Sequence, residues 1–295
     1  MTSGKQDTAL NNDFEHYYQQ IKGRQKREAL LWSLLLACLF LGAGKVAEFS
    51  PATIWHALPN FFSYVRDTLP VLHWQQLLAN VHTEGSLAYW GYRLPIQLPL
   101  IWETLQMALA STIIAVAVAT MLAFCAASNT QPSMLLRVSI RALVAFLRTM
   151  PELGWAVMFV MAFGIGAMPG FIALALHTVG SLTKLFYESL ESASERPVRG
   201  LASCGASKIQ IMRFAFWPQV KPIFLSYSFM RMEINFLSST ILGLVGAGGI
   251  GQELMTNIKL DRYDQVSMTL LLILAVVSLL DGISGYLRRR VVEGK

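Results

Sequence analysis

The sequence predicts an all-α integral membrane protein with six transmembrane helices and a polar segment of short helices between the fourth and the fifth. Three observations carry that prediction. Of 295 residues, 54% are apolar and 14% charged, against about 25% charged in an ordinary soluble domain, and the mean hydropathy is +0.46. Apolar runs recur at about 20 residues, the length that crosses about 30 Å of hydrocarbon at a rise of about 1.5 Å per residue. Finally, Lys and Arg crowd the polar stretches that alternate runs leave on one side.

Taken in order, residues 1–28 are mostly polar and too long for the charged start of a secretory signal, so they read as a cytoplasmic N-terminal tail. Residues 29–47 form the first span, retained as an anchor. Residues 48–100 lie outside the membrane on this reading, and Trp55, Phe61, Phe62, Trp74 and Trp90 suit helices resting at the interface. The core, 101–286, begins with the second span, Ile101 to Ala127, which carries no charge beyond Glu103. Ile140 to Ile165 holds Arg141, Arg148 and Glu152 and is interrupted by Pro151, so it reads as a short interfacial helix joined to a short span. Gly164, Gly166, Met168, Pro169 and Gly170 form a tight turn, and Phe171 to Phe186 returns as the fourth span. Segment 188–221 mixes acids, bases and apolar residues and ends at Pro218 and Pro222, the pattern of a soluble helical hairpin. Ile223 to Leu244 and Val266 to Tyr286 are the fifth and sixth spans, and 287–295 is a basic cytoplasmic tail. With both termini inside, 17 Lys and Arg flank the spans on the inner side and 5 on the outer side. This distribution accounts for the net charge of +6 without nucleic acid, because the basic residues are spread over loops.

Motifs that suggest chemistry mostly dissolve on inspection. Cys38, Cys125 and Cys204 have neither disulfide nor zinc spacing, and the five histidines show no metal-ligand pattern. Gly246, Gly248 and Gly251 fit G-x-G-x-x-G, yet they follow a membrane-length apolar run, with no βαβ unit around them. With Gly249 they read as an outer turn or a close helix contact. Gly200 and Gly205 have phosphate-loop spacing, but Ala206 and Ser207 stand where Lys and Ser/Thr are required. The chain therefore has no nucleotide site, and any ATP would be used by another subunit. Ionisable groups inside spans are costly and default to functional candidates. Arg231 and Glu233 point roughly 200° apart on a helix, so each needs a different partner. Arg148 and Glu152, four apart on the third span, are one such set. His177 and Asn235 complete the candidate translocation pathway, His177 reading first as a hydrogen-bonded packing residue. A nucleophile, base and orienter do not occur together, so an enzyme has little support.

The inner segment 198–219, VRGLASCGASKIQIMRFAFWPQ, resembles the cytoplasmic coupling motif of ABC importer permeases: E-A-A, three residues, Gly, nine residues, I-x-L-P. Gly205 falls on the glycine and Pro218 on the proline, while Ala215 and Trp217 replace the Ile and Leu. Arg199, Gly200 and Leu201 occupy the E-A-A positions, which reverses the sign of the acidic contact. By this resemblance Arg199, Gly200, Leu201, Ala202, Gly205, Ala206 and Pro218 couple to an ATPase. RTMPELGWAVMFV from Arg148, HTVGSLTKLFYESLE from His177 and SYSFMRMEINFLSSTILGLVGAGGIGQEL from Ser226 are similar to the phosphonate-type permeases, over roughly residues 95–290. Those relatives import phosphonates, phosphite and similar phosphorus oxyanions.

The resemblance implies a type I ABC importer permease fold in the bacterial inner membrane. It also implies a homodimer, two cytoplasmic ATPase subunits, an extracytoplasmic substrate-binding protein and no cofactor on this chain. An ion-coupled secondary transporter is the competing class on composition, although the inverted repeats usual there are not evident.

Overall fold

A computed structural model describes residues 3–46, 50–70, 72–130 and 133–293, and every regular element among them is helical. The chain divides into two compact units, residues 1–66 and 67–295. In the first, α1 (Ser3–Val46) runs 44 residues without a break. The polar residues before Ala29 and the apolar run after it thus belong to one helix, of which Ile21–Lys45 is long and apolar enough to cross a membrane. Most of α2 (Pro51–Thr68) follows, opened by proline at its first position, where the missing N–H needs no partner.

The second unit begins in loops that contain a single 3₁₀ turn, Trp74–Gln76, and the short α3 (Leu87–Trp90). It continues with α4 (Leu94–Ala126), α5 (Met134–Thr149), α6 (Glu152–Phe163), α7 (Ala167–Glu191), α8 (Glu195–Ser203) and α9 (Lys208–Ile211). A π-helical stretch, Met212–Phe216, leads into α10 (Trp217–Gly243), followed by α11 (Gly249–Lys259) and α12 (Tyr263–Glu293). Among the described residues four helices qualify as spans by length and composition, in α1, α4, α7 and α12, and α5 with α6 makes a fifth as a bent pair. The fifth sequence-predicted span, within α10, is long enough at 27 residues but does not qualify on composition, because Arg231, Glu233 and Asn235 interrupt its apolar residues.

Several boundaries move. The second span starts seven residues early, at Leu94, with Pro95 tolerated in the first turn. The tight turn closes at Gly166, so Met168, Pro169 and Gly170 belong to α7, where a proline in the first turn gives up no intrahelical bond. At Pro151 the expected interruption is an 83° bend. The residue before a proline avoids the α region, and Met150 accordingly takes φ −70, ψ 124, ending α5.

The core of this unit is built on close approach. Ala108, Ala115, Ala119 and Ala123 recur along α4 and are fully buried, as are Leu182, Phe186 and Leu190 on α7. Small side chains let two backbones come together where lipid supplies no hydrophobic drive between helices. Phe186 then stacks on Phe224 of α10 with ring centroids 3.9 Å apart.

The glycine turn at 246–251 is one of these close approaches. A Cβ on Gly251 would sit 1.8 Å from the Thr240 carbonyl oxygen, and Gly249 adopts φ +71 against the Thr104 side chain. The Thr104 hydroxyl accepts the Ile250 N–H at 2.9 Å, which satisfies one of the free donors at the start of α11. No strand precedes this turn among the described residues, so its glycines serve helix packing. Replacing Gly251 by Ala forces α10 and α11 apart, and the expected loss is about 1–3 kcal/mol. Thermal unfolding in detergent, read beside the wild type, measures it.

Candidate functional site

At the start of one helix and midway along two others the structure gathers charge. Glu152 opens α6 directly after the bend, His177 lies in the middle of α7, and Arg231 is near the centre of α10. Arg231 Nη2 donates to Glu152 Oε1 at 2.9 Å, and the same oxygen lies 3.4 Å from His177 Nε2. His177 Nδ1 stands 3.2 Å from the Met150 carbonyl. Because that carbonyl can only accept, Nδ1 carries the proton it receives. The bend frees the carbonyl from the α5 ladder, and the imidazole takes its place as partner. All three side chains are mostly buried, at 12% exposed for Arg231, 19% for Glu152 and 16% for His177.

Of the sequence-predicted pathway residues, three therefore come together and the others do not. Of Arg148 and Glu152, the set offered as partners for Arg231 and Glu233, Glu152 meets Arg231 and Arg148 meets neither. The two are four apart in sequence, but the bend at Pro151 turns α6 away from α5, and Arg148 is exposed without an ion pair among the described residues. Glu233 is half-buried and likewise unpaired among them. Asn235 is fully buried in a chain of hydrogen bonds: Thr178 Oγ1 donates to its Oδ1 at 3.0 Å, and its Nδ2 donates to Thr112 Oγ1 at 2.8 Å. It fastens α4, α7 and α10 together.

The hairpin at 195–216 is built by matched caps. Ser194 accepts the Arg196 N–H at the start of α8. At its end the Ala206 N–H reaches the Leu201 carbonyl and the Gly205 N–H the Ala202 carbonyl, with Gly205 at φ +76. This is the Schellman arrangement, which calls for glycine at the left-handed position. Ser207 and Gln210 then close a capping box on α9. Pro218 does not end the second helix as expected. Helical backbone continues from Lys208 to Gly243, because the π-helical stretch shifts the pairing so that the Trp217 N–H reaches the Met212 carbonyl. Arg199 pairs at 2.5 Å with Glu195, one turn back, while Gly200 and Ala202 are exposed and Leu201 and Ala206 half-buried.

Two features were not foreseen. The Gln219 side-chain amide bridges the hairpin and α10: the Ser194 N–H donates to its Oε1 at 3.0 Å, and its Nε2 donates to the Ser194 and Ala215 carbonyls at 3.3 and 2.8 Å. Arg141 joins three helix ends, pairing with Glu191 and donating Nε–H to the Ala126 carbonyl at 2.9 Å, while its guanidinium lies over the Tyr187 ring. Arg141 and Glu191 flank different spans on one predicted side, a weak sign of contact. Nothing local in the sequence marks Gln219.

Comparison with known proteins adds the following. Residues 119–293, more than half of the chain, match the family described as binding-protein-dependent transport system inner membrane component. The phosphite transport system permease protein PtxC of Stutzerimonas stutzeri is 39% identical over 256 residues, covering 87% of this chain and 85% of that protein. The phosphate-import permease protein PhnE of Mycolicibacterium smegmatis is 36% identical over 191 residues, 65% of this chain and 36% of that one. In fold, the chain is similar to a subunit of the MetNI methionine ABC transporter in inward-facing form, with a TM-score of 0.60 and 20% identity over 68% of this chain and 98% of that one.

The buried Asn235 network makes a further stability prediction. Asn235→Leu leaves the Thr178 hydroxyl without its acceptor and removes the N–H that Thr112 accepts, although Thr112 still donates to the Ala108 carbonyl, and leaving a buried group unpaired costs about 1–3 kcal/mol. A lowered unfolding midpoint in detergent is the expected result.

Proposed function

Because the chain belongs to the family of binding-protein-dependent transport system inner membrane components, we propose that it imports a phosphonate, phosphite or closely related phosphorus oxyanion. It is a membrane permease of an ABC importer. The substrate class rests on one observation above the rest, the 39% identity to a phosphite permease across 87% of the chain. In the proposed topology α10 is the fifth of six spans, both termini face the cytoplasm, and two copies of the chain form the translocation path. An extracytoplasmic binding protein delivers the anion, and two cytoplasmic ATPase subunits hydrolyse ATP.

The hairpin at 195–216 is the element proposed to meet the ATPase. Its surface supports that role, since Ile209 is 77% exposed, Phe214 62% and Trp217 37%. Apolar side chains of this size, next to exposed Arg199 and Arg213, suit burial against a partner groove. On ATP binding the ATPase dimer closes, the hairpin moves with it, and Gln219 passes the movement to α10. The spans then alternate between inward-facing and outward-facing states around the cluster at mid-depth. In that cluster Arg231 attracts the oxyanion in a medium of low dielectric.

Gentle purification of the tagged protein from its native membrane, with mass spectrometry of every retained chain, tests the assembly. A stoichiometric ATPase and growth on phosphite or phosphonate as sole phosphorus source are the expected results; partner-free protein driven by an ion gradient would reverse the reading. Gln219→Leu should keep the ATPase bound and active yet lower uptake per ATP hydrolysed by about tenfold, the cost of about one or two hydrogen bonds in a coupling path. Parallel uptake and phosphate-release assays give that ratio.

A further inference from the structure

Arg231 is only partly used. Its Nη2 holds one oxygen of Glu152, whereas its Nε is buried and has no hydrogen-bond partner among the described residues. A guanidinium edge binds two oxygens of one anion side by side when the geometry allows. The Glu152 carboxylate makes the single contact and divides that same Oε1 with His177. Arg231 stands 14 residues after Trp217 and 12 before Gly243, which puts it at mid-depth in its helix, about 20 Å from either end.

We infer that Glu152 is a resident counter-ion that the transported oxyanion displaces from Arg231, an assignment that rests on the importer reading above. The arriving anion takes the Nε and Nη2 edge with two of its oxygens. Glu152 swings from Arg231 and stays beside His177, which is anchored to the Met150 carbonyl through Nδ1–H and holds the carboxylate through Nε2 in its doubly protonated form. The exchange leaves α6 tied to α7 and frees it from α10, so arrival of the substrate and separation of two helices are one event. It also sets the substrate class. The ligand must present at least two anionic oxygens on one face and outcompete a carboxylate, as a phosphonate, phosphite or phosphate does; a ligand whose charge is only positive is repelled by Arg231 and gains nothing from the swap.

The test uses the permease purified with its ATPase subunits, with phosphite and methylphosphonate as probes. Direct binding is followed by titration calorimetry without the binding protein, and uptake is followed in cells. Glu152→Gln removes the competing charge, and both probes should bind about tenfold more tightly, the size of one charge-assisted contact. Arg231→Met should abolish binding and uptake while the ATPase still co-purifies, and the double variant Glu152→Gln with Arg231→Met should be equally inactive. A purely structural ion pair gives the opposite pattern. Each single variant then disrupts assembly by leaving one charge buried, and the double variant restores both assembly and uptake, because loss of both members of a buried pair is close to neutral. That rescue, or unchanged or weaker binding to Glu152→Gln, overturns the inference. If the wild-type complex retains its ATPase but takes up neither probe, the oxyanion reading itself fails, and the inference fails with it.

Discussion

Within hydrocarbon, a backbone group that leaves its helical ladder has no water to turn to, and this single constraint orders the membrane-facing part of the structure. Two helix breaks are also places where a side chain from another helix arrives. Pro151 bends the chain by 83° and releases the Met150 carbonyl, which His177 of α7 meets at 3.2 Å. The glycine turn at 246–251 exposes the start of α11, and Thr104 of α4 accepts the Ile250 N–H. At the base of α10, the Gln219 amide takes the Ala215 carbonyl where the π-helical stretch passes into regular helix.

Charge obeys the same rule with larger energies. A charge taken out of water is costly unless it is paired, so mostly buried Arg231 is held by Glu152, with His177 beside the same oxygen. The pairing crosses from α10 to α6 and α7 because the alternatives are closed. Glu233 is on the wrong face of α10 for Arg231, two residues being about 200° apart. Arg148 would be the helical neighbour of Glu152 if the helix were continuous, and Pro151 makes certain that it is not. The bend therefore selects the ion pair as well as the path of the backbone.

Much of this was legible in one sequence, for identifiable reasons. Long apolar runs have no reading in water, so α1, α4, α7 and α12 stood out, and so did the interruption at Pro151, because proline restricts its predecessor wherever it occurs. Gly205 was legible through its spacing to Pro218, and the structure supplies the physical cause in a left-handed cap. The ends of helices were less legible: Pro95 and Pro169 look like breakers but sit in first turns, where a missing N–H costs nothing. Partners across the fold were legible only in part: Glu152 stood in the set offered for Arg231, while nothing named a partner for Gln219. Arg231 and Glu152 are 79 positions apart, and no local pattern joins them, nor does any join Gln219 to Ser194. What the sequence did carry was the demand, since an ionisable group inside a span requires some partner.

The position of Arg231 on α10 links the two halves of the problem. The helix that carries it at mid-depth is also the one that begins at the hairpin, and helical backbone runs unbroken from Lys208 to Gly243. Gln219 and Arg231 are twelve residues apart, about 18 Å along the axis. A displacement of α8 acts on Gln219 through both Ser194 contacts, and a stiff helix conveys it to the guanidinium without any further joint. The π-helical stretch lies between α9 and α10, on the hairpin side of Gln219, so its looser pairing can absorb strain within the hairpin while the segment from Gln219 to Arg231 moves as a rod. In the proposed cycle, coupling between the two sites needs two discrete positions of one helix, which is the physical warrant such coupling requires, and the Glu152 contact is the interaction that would differ between them.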